Sequence, residues 1–204
     1  LKVSMDLSII IPCYNSQKYI KKCLKSIIIQ ANKKIKIEII LVDDCSKDKT
    51  AKIIKNYKKK INFIKIITNK KNLGVSKSRN LALKKAIGKY ILFLDSDDEL
   101  INKTLNNLIL QLKKEKSDVV VLRNKQIGRS EIDKNQIHTI KKNSKNLIEN
   151  IKDFNKFRAT CWNFVVNKKF LFKKKILFKD FRIFEDHYYV SKILVEARNF
   201  SIFE

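Results

Sequence analysis

Glycine and proline are scarce here: among 204 residues there are 3 Gly and 1 Pro. That excludes collagen-like and low-complexity chains, whose composition rests on those two residues. It also removes the glycine-rich phosphate cradles, since neither Gly-x-x-x-x-Gly-Lys nor Gly-x-Gly-x-x-Gly occurs. The four cysteines, Cys13, Cys23, Cys45 and Cys161, form no Cys-x-x-Cys pair. Zinc-ligand spacing and a disulfide scaffold are thereby excluded, and free thiols in a reducing compartment are expected. No apolar run approaches the ~20 residues of a membrane span. No signal-peptide pattern is visible either, so the expected location is cytoplasmic. The chain opens on Leu1 with its one Met at Met5, and Phe200 to Glu204 reads as the start of a strand. The natural protein is therefore expected to extend beyond Glu204.

Acidic residues are also few, 20 against 46 Lys plus Arg, for a formal net charge of +26. The excess is 40 Lys and only 6 Arg, beside 31 Ile. Joint enrichment in Lys and Ile fits a compositional bias. Arg, the better residue for bidentate phosphate recognition, is the one in short supply. With no RNP or zinc-finger pattern, a nucleic-acid partner is not expected. A peripheral contact with anionic membrane at its cytoplasmic face is retained as one reading of the lysine-rich surface. With 44% hydrophobic residues, 12 Phe and 6 Tyr, there is ample material for a core, and the length suits one domain.

The first half alternates short apolar runs with amphipathic stretches. Strands are expected at 7–12, 37–42, 63–68, 90–94 and 119–122. Helices are expected at 16–29 with Ser16 as N-cap, at 50–57, at 75–86 with Gly88 as the stop, and at 104–112. This alternation predicts an α/β fold, with a mostly parallel central sheet and helices on both faces. Residues 124–146 read as a polar loop containing His138, Lys141, Lys142 and Lys145. A helix is expected over 147–157, a less regular stretch around Trp162 to Val166 and Phe178 to Phe184, and a final helix over 186–197.

Eight of the 20 acids fall in three clusters: Asp43-Asp44, Asp95-x-Asp97-Asp98-Glu99 and Glu185-Asp186. The first two lie at the C-terminal ends of expected strands, where open α/β sheets bind ligands. Adjacent carboxylates repel unless a cation intervenes. An all-oxygen set suits Mg2+ or Mn2+ rather than zinc. Pro12 ends the first strand and leaves Tyr14 and Asn15 to meet a planar ligand. Asn72-Leu73-Gly74 opens a helix whose N-terminus, beside Lys77 and Arg79, would attract phosphate.

Four segments together carry a specific resemblance. They are Ile9 to Asn15, Leu41 to Thr50, Asn72-Leu73-Gly74 through Arg79-Asn80, and Phe93-Leu94-Asp95-Ser96-Asp97-Asp98. In order and spacing they resemble the successive motifs of family 2 glycosyltransferases, inverting bacterial enzymes of the GT-A (Rossmann-like nucleotide-diphospho-sugar transferase) fold. The match is clear over about the first 100 residues. Beyond them only Trp162-Asn163 and Glu185-Asp186 are similar. The resemblance implies a metal-dependent transfer from a nucleotide-diphosphate sugar, UDP-linked by preference, to a hydroxyl of a glycan or lipid-linked glycan acceptor in bacterial surface glycan synthesis. It implies that about 1–123 bind the donor and about 124–204 the acceptor.

By the same resemblance, Pro12, Tyr14, Asn15, Asn72, Gly74 and Arg79 would line the donor site. Asp43 would accept a hydrogen bond from the nucleobase, with Asp44 structural. Asp95 would sit at the ribose and the metal's water shell, and Asp97 would bind the metal, with Asp98 as its substitute. Asp186 would be the general base and Glu185 its support; Trp162 is weighed evenly between core and acceptor platform, and His187 as an ordinary helix residue. Two rivals stand beside this reading. One is a non-catalytic nucleotide-sugar-binding protein. The other is a nucleotidyltransferase, which should carry a basic glycine-rich loop where Pro12-Cys13-Tyr14-Asn15 stands.

Overall fold

The computed structural model describes residues 5–32, 34–122, 147–151, 159–181 and 183–203. Their strands form one seven-stranded sheet in the order β3-β2-β1-β4-β6-β5-β7. The strands are β1 (Met5–Cys13), β2 (Ile37–Asp43), β3 (Ile64–Thr68), β4 (Gly88–Phe93), β5 (Val119–Leu122), β6 (Phe164–Asn167) and β7 (Phe200–Phe203). The helices are α1 (Ile20–Ile28), α2 (Thr50–Lys60), α3 (Val75–Lys85), α4 (Thr104–Glu115), α5 (Lys168–Lys173) and α6 (Glu185–Glu196). β1, β2, β3 and β4 are mutually parallel, β5 pairs parallel with β7, and β6 runs antiparallel to both β4 and β5. The expected α/β sheet with helices on both faces is what the chain forms.

Side chains along a strand point alternately to opposite faces, and here both faces are covered. Ile10, Ile40, Val42, Ile91 and Phe93 pack with the apolar sides of α3, α5 and α6. Leu7, Ile9, Ile11, Ile39, Leu41 and Leu92 pack with α1, α2 and α4. This double burial is why β1 and β2 read as unbroken apolar runs.

Several local expectations are corrected. Ser16 does not cap α1 with its side chain: its carbonyl accepts from Tyr19 and Ile20 N–H, while its hydroxyl reaches Ser96 and Tyr14. Gly88 does not stop α3. It begins β4, where its N–H donates to Ser8 Oγ and an added Cβ would collide with the Ser8 backbone. α5, unforeseen, is capped by Asn167, whose side chain accepts from Lys169 and Phe170 N–H. Trp162 lies in a 3-10 turn, Cys161–Asn163, leading into β6. Of the helix expected at 147–157, residues 148–150 form a 3-10 turn. Its remainder, 152–157, and the loop of His138, Lys141, Lys142 and Lys145 lie outside the described residues.

Candidate active site

Parallel strands place their C-terminal ends side by side, and β1, β2 and β4 do so here. Leaving them, the chain lines a cleft of about 370 Å3 with Pro12, Cys13, Tyr14, Asp44, Asn72, Gly74, Ser78, Asp95, Ser96 and Asp97 in its wall. Six of these, Pro12, Tyr14, Asn72, Gly74, Asp95 and Asp97, are donor- or metal-site residues expected from the sequence, and a seventh, Asp44, is expected there only as a structural residue. Cys13, Ser78 and Ser96 are not expected, because single small residues carry no pattern.

The cleft wall is built around Asp44. Its Oδ1 accepts from Leu73 N–H at 2.8 Å and Asn69 Nδ2 at 2.7 Å, and its Oδ2 from Gly74 N–H at 2.8 Å. Gly74 reaches this position at φ +85°, a backbone region that favours glycine. Its N–H is shared with Asn72 Oδ1, at 3.1 Å. The paired aspartates thus differ from expectation. Asp44 both braces the loop and lines the cleft, whereas Asp43, buried, accepts Ser46 N–H at 3.1 Å and is not among the lining residues. Asn15 also lies aside: its Oδ1 accepts Lys47 N–H, and it lines a neighbouring hollow with Gln17, Lys18, Tyr19 and Asp48.

Arg79 is where the structure departs furthest from the sequence. The side chain expected to attract phosphate is buried, 3% exposed. Its Nη2 donates to Asp95 Oδ1 at 2.7 Å, and its Nη1 to Asp186 Oδ1 at 2.7 Å and Glu185 Oε1 at 3.3 Å. Burial works against the charge, but the groups around it, Cys161, Asp95 and Asp186, hold the guanidinium pKa above its ordinary value. Asp186 Oδ2 accepts from Cys161 N–H at 3.1 Å. The second and third acidic clusters, 90 residues apart in sequence, therefore meet on one side chain.

The acids at the end of β4 are electrostatically crowded. Desolvation raises the Asp95 pKa, opposed by Arg79. Asp98 is pushed up to about 6, first by desolvation and then by Asp95 and Asp97. Its N–H donates to the Asp95 carbonyl, which makes the run a tight turn. Among the described residues no three metal-ligating side chains converge. That donor set still fits magnesium or manganese, which take one or two carboxylates and complete their shell with water and substrate phosphate. Asp97 is exposed at the cleft, and Asp95 keeps an oxygen not engaged by Arg79.

The sheet order and the acid-lined cleft at the strand ends are those of an open α/β fold that binds its ligand beyond the carboxyl ends of its strands. Residues 8–177 match the family model described as Glycosyl transferase family 2, and the chain belongs to that family. It is 38% identical over 124 residues to the poly(ribitol-phosphate) beta-N-acetylglucosaminyltransferase TarS of Staphylococcus aureus, covering 61% of this chain and 22% of that protein. It is 41% identical over 118 residues to a poly(ribitol-phosphate) beta-glucosyltransferase of Bacillus spizizenii, covering 57% of this chain and 19% of that protein. The chain thus spans about a fifth of the length of these relatives. In structure it is similar to residues 1–349 of S. aureus TarS in complex with UDP-GlcNAc, with a TM-score of 0.84 and 29% identity over 98% of this chain and 56% of that one. The mostly parallel sheet flanked by helices is therefore the GT-A arrangement expected from the motifs.

Proposed function

We propose that this chain is the donor-binding and transfer domain of an inverting glycosyltransferase. It moves a sugar from a nucleotide-diphosphate sugar, UDP-linked by preference, to a hydroxyl of a glycan or lipid-linked glycan in the making of a bacterial surface polymer. The observation that carries this reading is the strand-end cleft with Asp44, Asp95 and Asp97 in its wall and Asp186 tied to Asp95 through Arg79. The likeness to TarS bound to UDP-GlcNAc supports the UDP preference.

Pro12 and Tyr14 flank the base and ribose, with the half-exposed Tyr14 ring free to stack. Asp44, rather than Asp43, is the carboxylate that meets the nucleobase. Its Oδ2 accepts one N–H from the loop and keeps room for another donor. Uracil and thymine offer an N3–H there; cytosine presents an acceptor. Asp97, with Asp95 beside it, would hold a divalent ion, which when bound neutralises charge on the departing diphosphate. Asp186 accepts the proton of the acceptor hydroxyl as that oxygen bonds to the anomeric carbon and the carbon–phosphate oxygen bond breaks. A single base opposite the leaving group suffices for inversion, by analogy with inverting glycosidases. Glu185 supports it through the shared Arg79.

A thermal-shift panel of UDP, GDP, CDP and dTDP, with manganese and with EDTA, tests this. A nucleotide at 100 times its dissociation constant adds about 2.7 kcal/mol, a shift on the order of 5–10 °C for a domain of this size. UDP should give that shift, CDP should not, and EDTA should reduce it. No shift with any nucleotide would overturn the reading.

A further inference from the structure

Among the described residues Arg79 is the one that touches both Asp95 and Asp186, and its surroundings are built to hold it still. We propose that Arg79 is a positioning residue that sets the distance between the donor-side carboxylate Asp95 and the base Asp186, and that it is not a donor ligand itself. This rests on the transferase reading above. The two contacts use different nitrogens of one planar guanidinium, Nη2 to Asp95 and Nη1 to Asp186, each at 2.7 Å. A planar fork fixes both carboxylates relative to one another, which a single ammonium does not.

The plane of the fork is itself fixed. The guanidinium carbon lies 5.0 Å from the centre of the Phe178 ring. Phe178 stacks on Tyr189 at 4.1 Å, and Phe93 meets both rings edge-on at 5.0 and 5.7 Å. Phe93 ends β4, two residues before Asp95, and Tyr189 lies in the second turn of α6, three residues after Asp186. The aromatic trio thus braces the same two elements that the guanidinium bridges. Asn80, next to Arg79, holds the Phe178 backbone in both directions, its Nδ2 donating to the carbonyl at 2.8 Å and its Oδ1 accepting the N–H at 3.1 Å. With both Nη atoms engaged by carboxylates and the side chain 3% exposed, Arg79 is poorly placed to take a phosphate.

The test uses the full chain and two measurements: UDP affinity by calorimetry in EDTA, where Asp95 and Asp97 hold no metal, and UDP release from a UDP-sugar with manganese. Arg79→Gln should bind UDP as the wild type does, yet turn over roughly 100-fold more slowly, the cost of a catalytic group misplaced by about 1 Å. Arg79→Lys should recover part of the rate, because it keeps the charge but not the fork. Should Arg79→Gln fail to fold, Arg79→Lys and Phe178→Leu carry the test, each expected to lower kcat while leaving UDP affinity intact. UDP affinity falling in step with turnover would make Arg79 a donor ligand and overturn the proposal, as would wild-type turnover in Arg79→Gln. Wild-type protein that neither binds UDP nor releases it fails differently, because it removes the transferase reading on which the proposal rests.

Discussion

At the scale of single residues, the two adjacent aspartates at the end of β2 have opposite fates. Asp43 is the last residue of the strand and Asp44 the first beyond it, so alternation sends their side chains apart. Sequence alone shows an acidic pair at a strand end and cannot say which member turns into the cleft. That depends on the loop after β3, whose Leu73 and Gly74 N–H groups need an acceptor. Replacing Asp44 by Ala removes the acceptor for three donors at once, Leu73, Gly74 and Asn69. Charge-assisted bonds of this kind make the expected loss about 2–4 kcal/mol, discounted for rehydration of the loop. Thermal melts should record it, together with loss of the UDP-induced shift. Arg79 was equally opaque: a lone basic residue near a helix N-terminus reads as an anion site. Only the fold brings 95 and 186 to it.

At the scale of elements, what was legible is what local periodicity determines. β1 to β5 and α1 to α4 are visible because β1, β2, β4 and β5 are almost wholly buried apolar runs, the edge strand β3 keeps its isoleucines, and each helix carries an apolar stripe. β6 and α5 are not. A four-residue strand followed directly by a helix in a lysine-rich stretch gives no window long enough for a period, and its antiparallel direction follows from pairing with β4 and β5. The acids of α6 stand side by side in the sequence, but nothing there ties them to β4.

A second element-level device is the clasp at the other end of the sheet. Glu38 in β2 accepts from Ser8 Oγ of β1 and from Ile87 N–H before β4, each at 2.6 Å, and pairs with Lys65 of β3 at 2.7 Å. One carboxylate therefore joins four neighbouring strands. Burial alone would raise the Glu38 pKa, but the bonds from Lys65, Ser8 and Ile87 outweigh it and hold it below its usual 4.5. A depressed carboxylate contributes stability above its unfolded pKa and loses it as pH falls through the folded one. Glu38→Gln should therefore cost about 2 kcal/mol at neutral pH, a figure already reduced because Lys65 is half exposed. The gap between variant and wild type should close in melts taken well below pH 4.5. A constant gap across that range would mean that shape, not charge, holds the clasp.

At the scale of the whole molecule, charge decides what the surface does. With 46 cations against 20 acids, at least 26 cations have no acid of their own, and Arg79 alone engages three. Several of the acids are held at the cleft and in the clasp, where they balance no surface lysine beyond Lys65. Surface pairs such as Lys113–Asp6 at 3.1 Å and Lys174–Glu196 at 2.7 Å are each worth little in water. The folded chain thus compresses a field of one sign, which opposes the compact state. Salt should relieve it, since the Debye length falls from about 10 Å at 0.1 M to about 3 Å at 1 M. The melting temperature is expected to rise by several degrees as sodium chloride goes from low concentration to roughly 0.5 M, where screening is largely complete. A fall instead would show that local ion pairs outweigh the net repulsion. The same field attracts anionic surfaces, so retention on vesicles carrying anionic lipid should exceed that on neutral ones at low salt and vanish over the range that raises the melting point. Equal retention on both would confine the charge to a cost in stability, with no membrane to meet it.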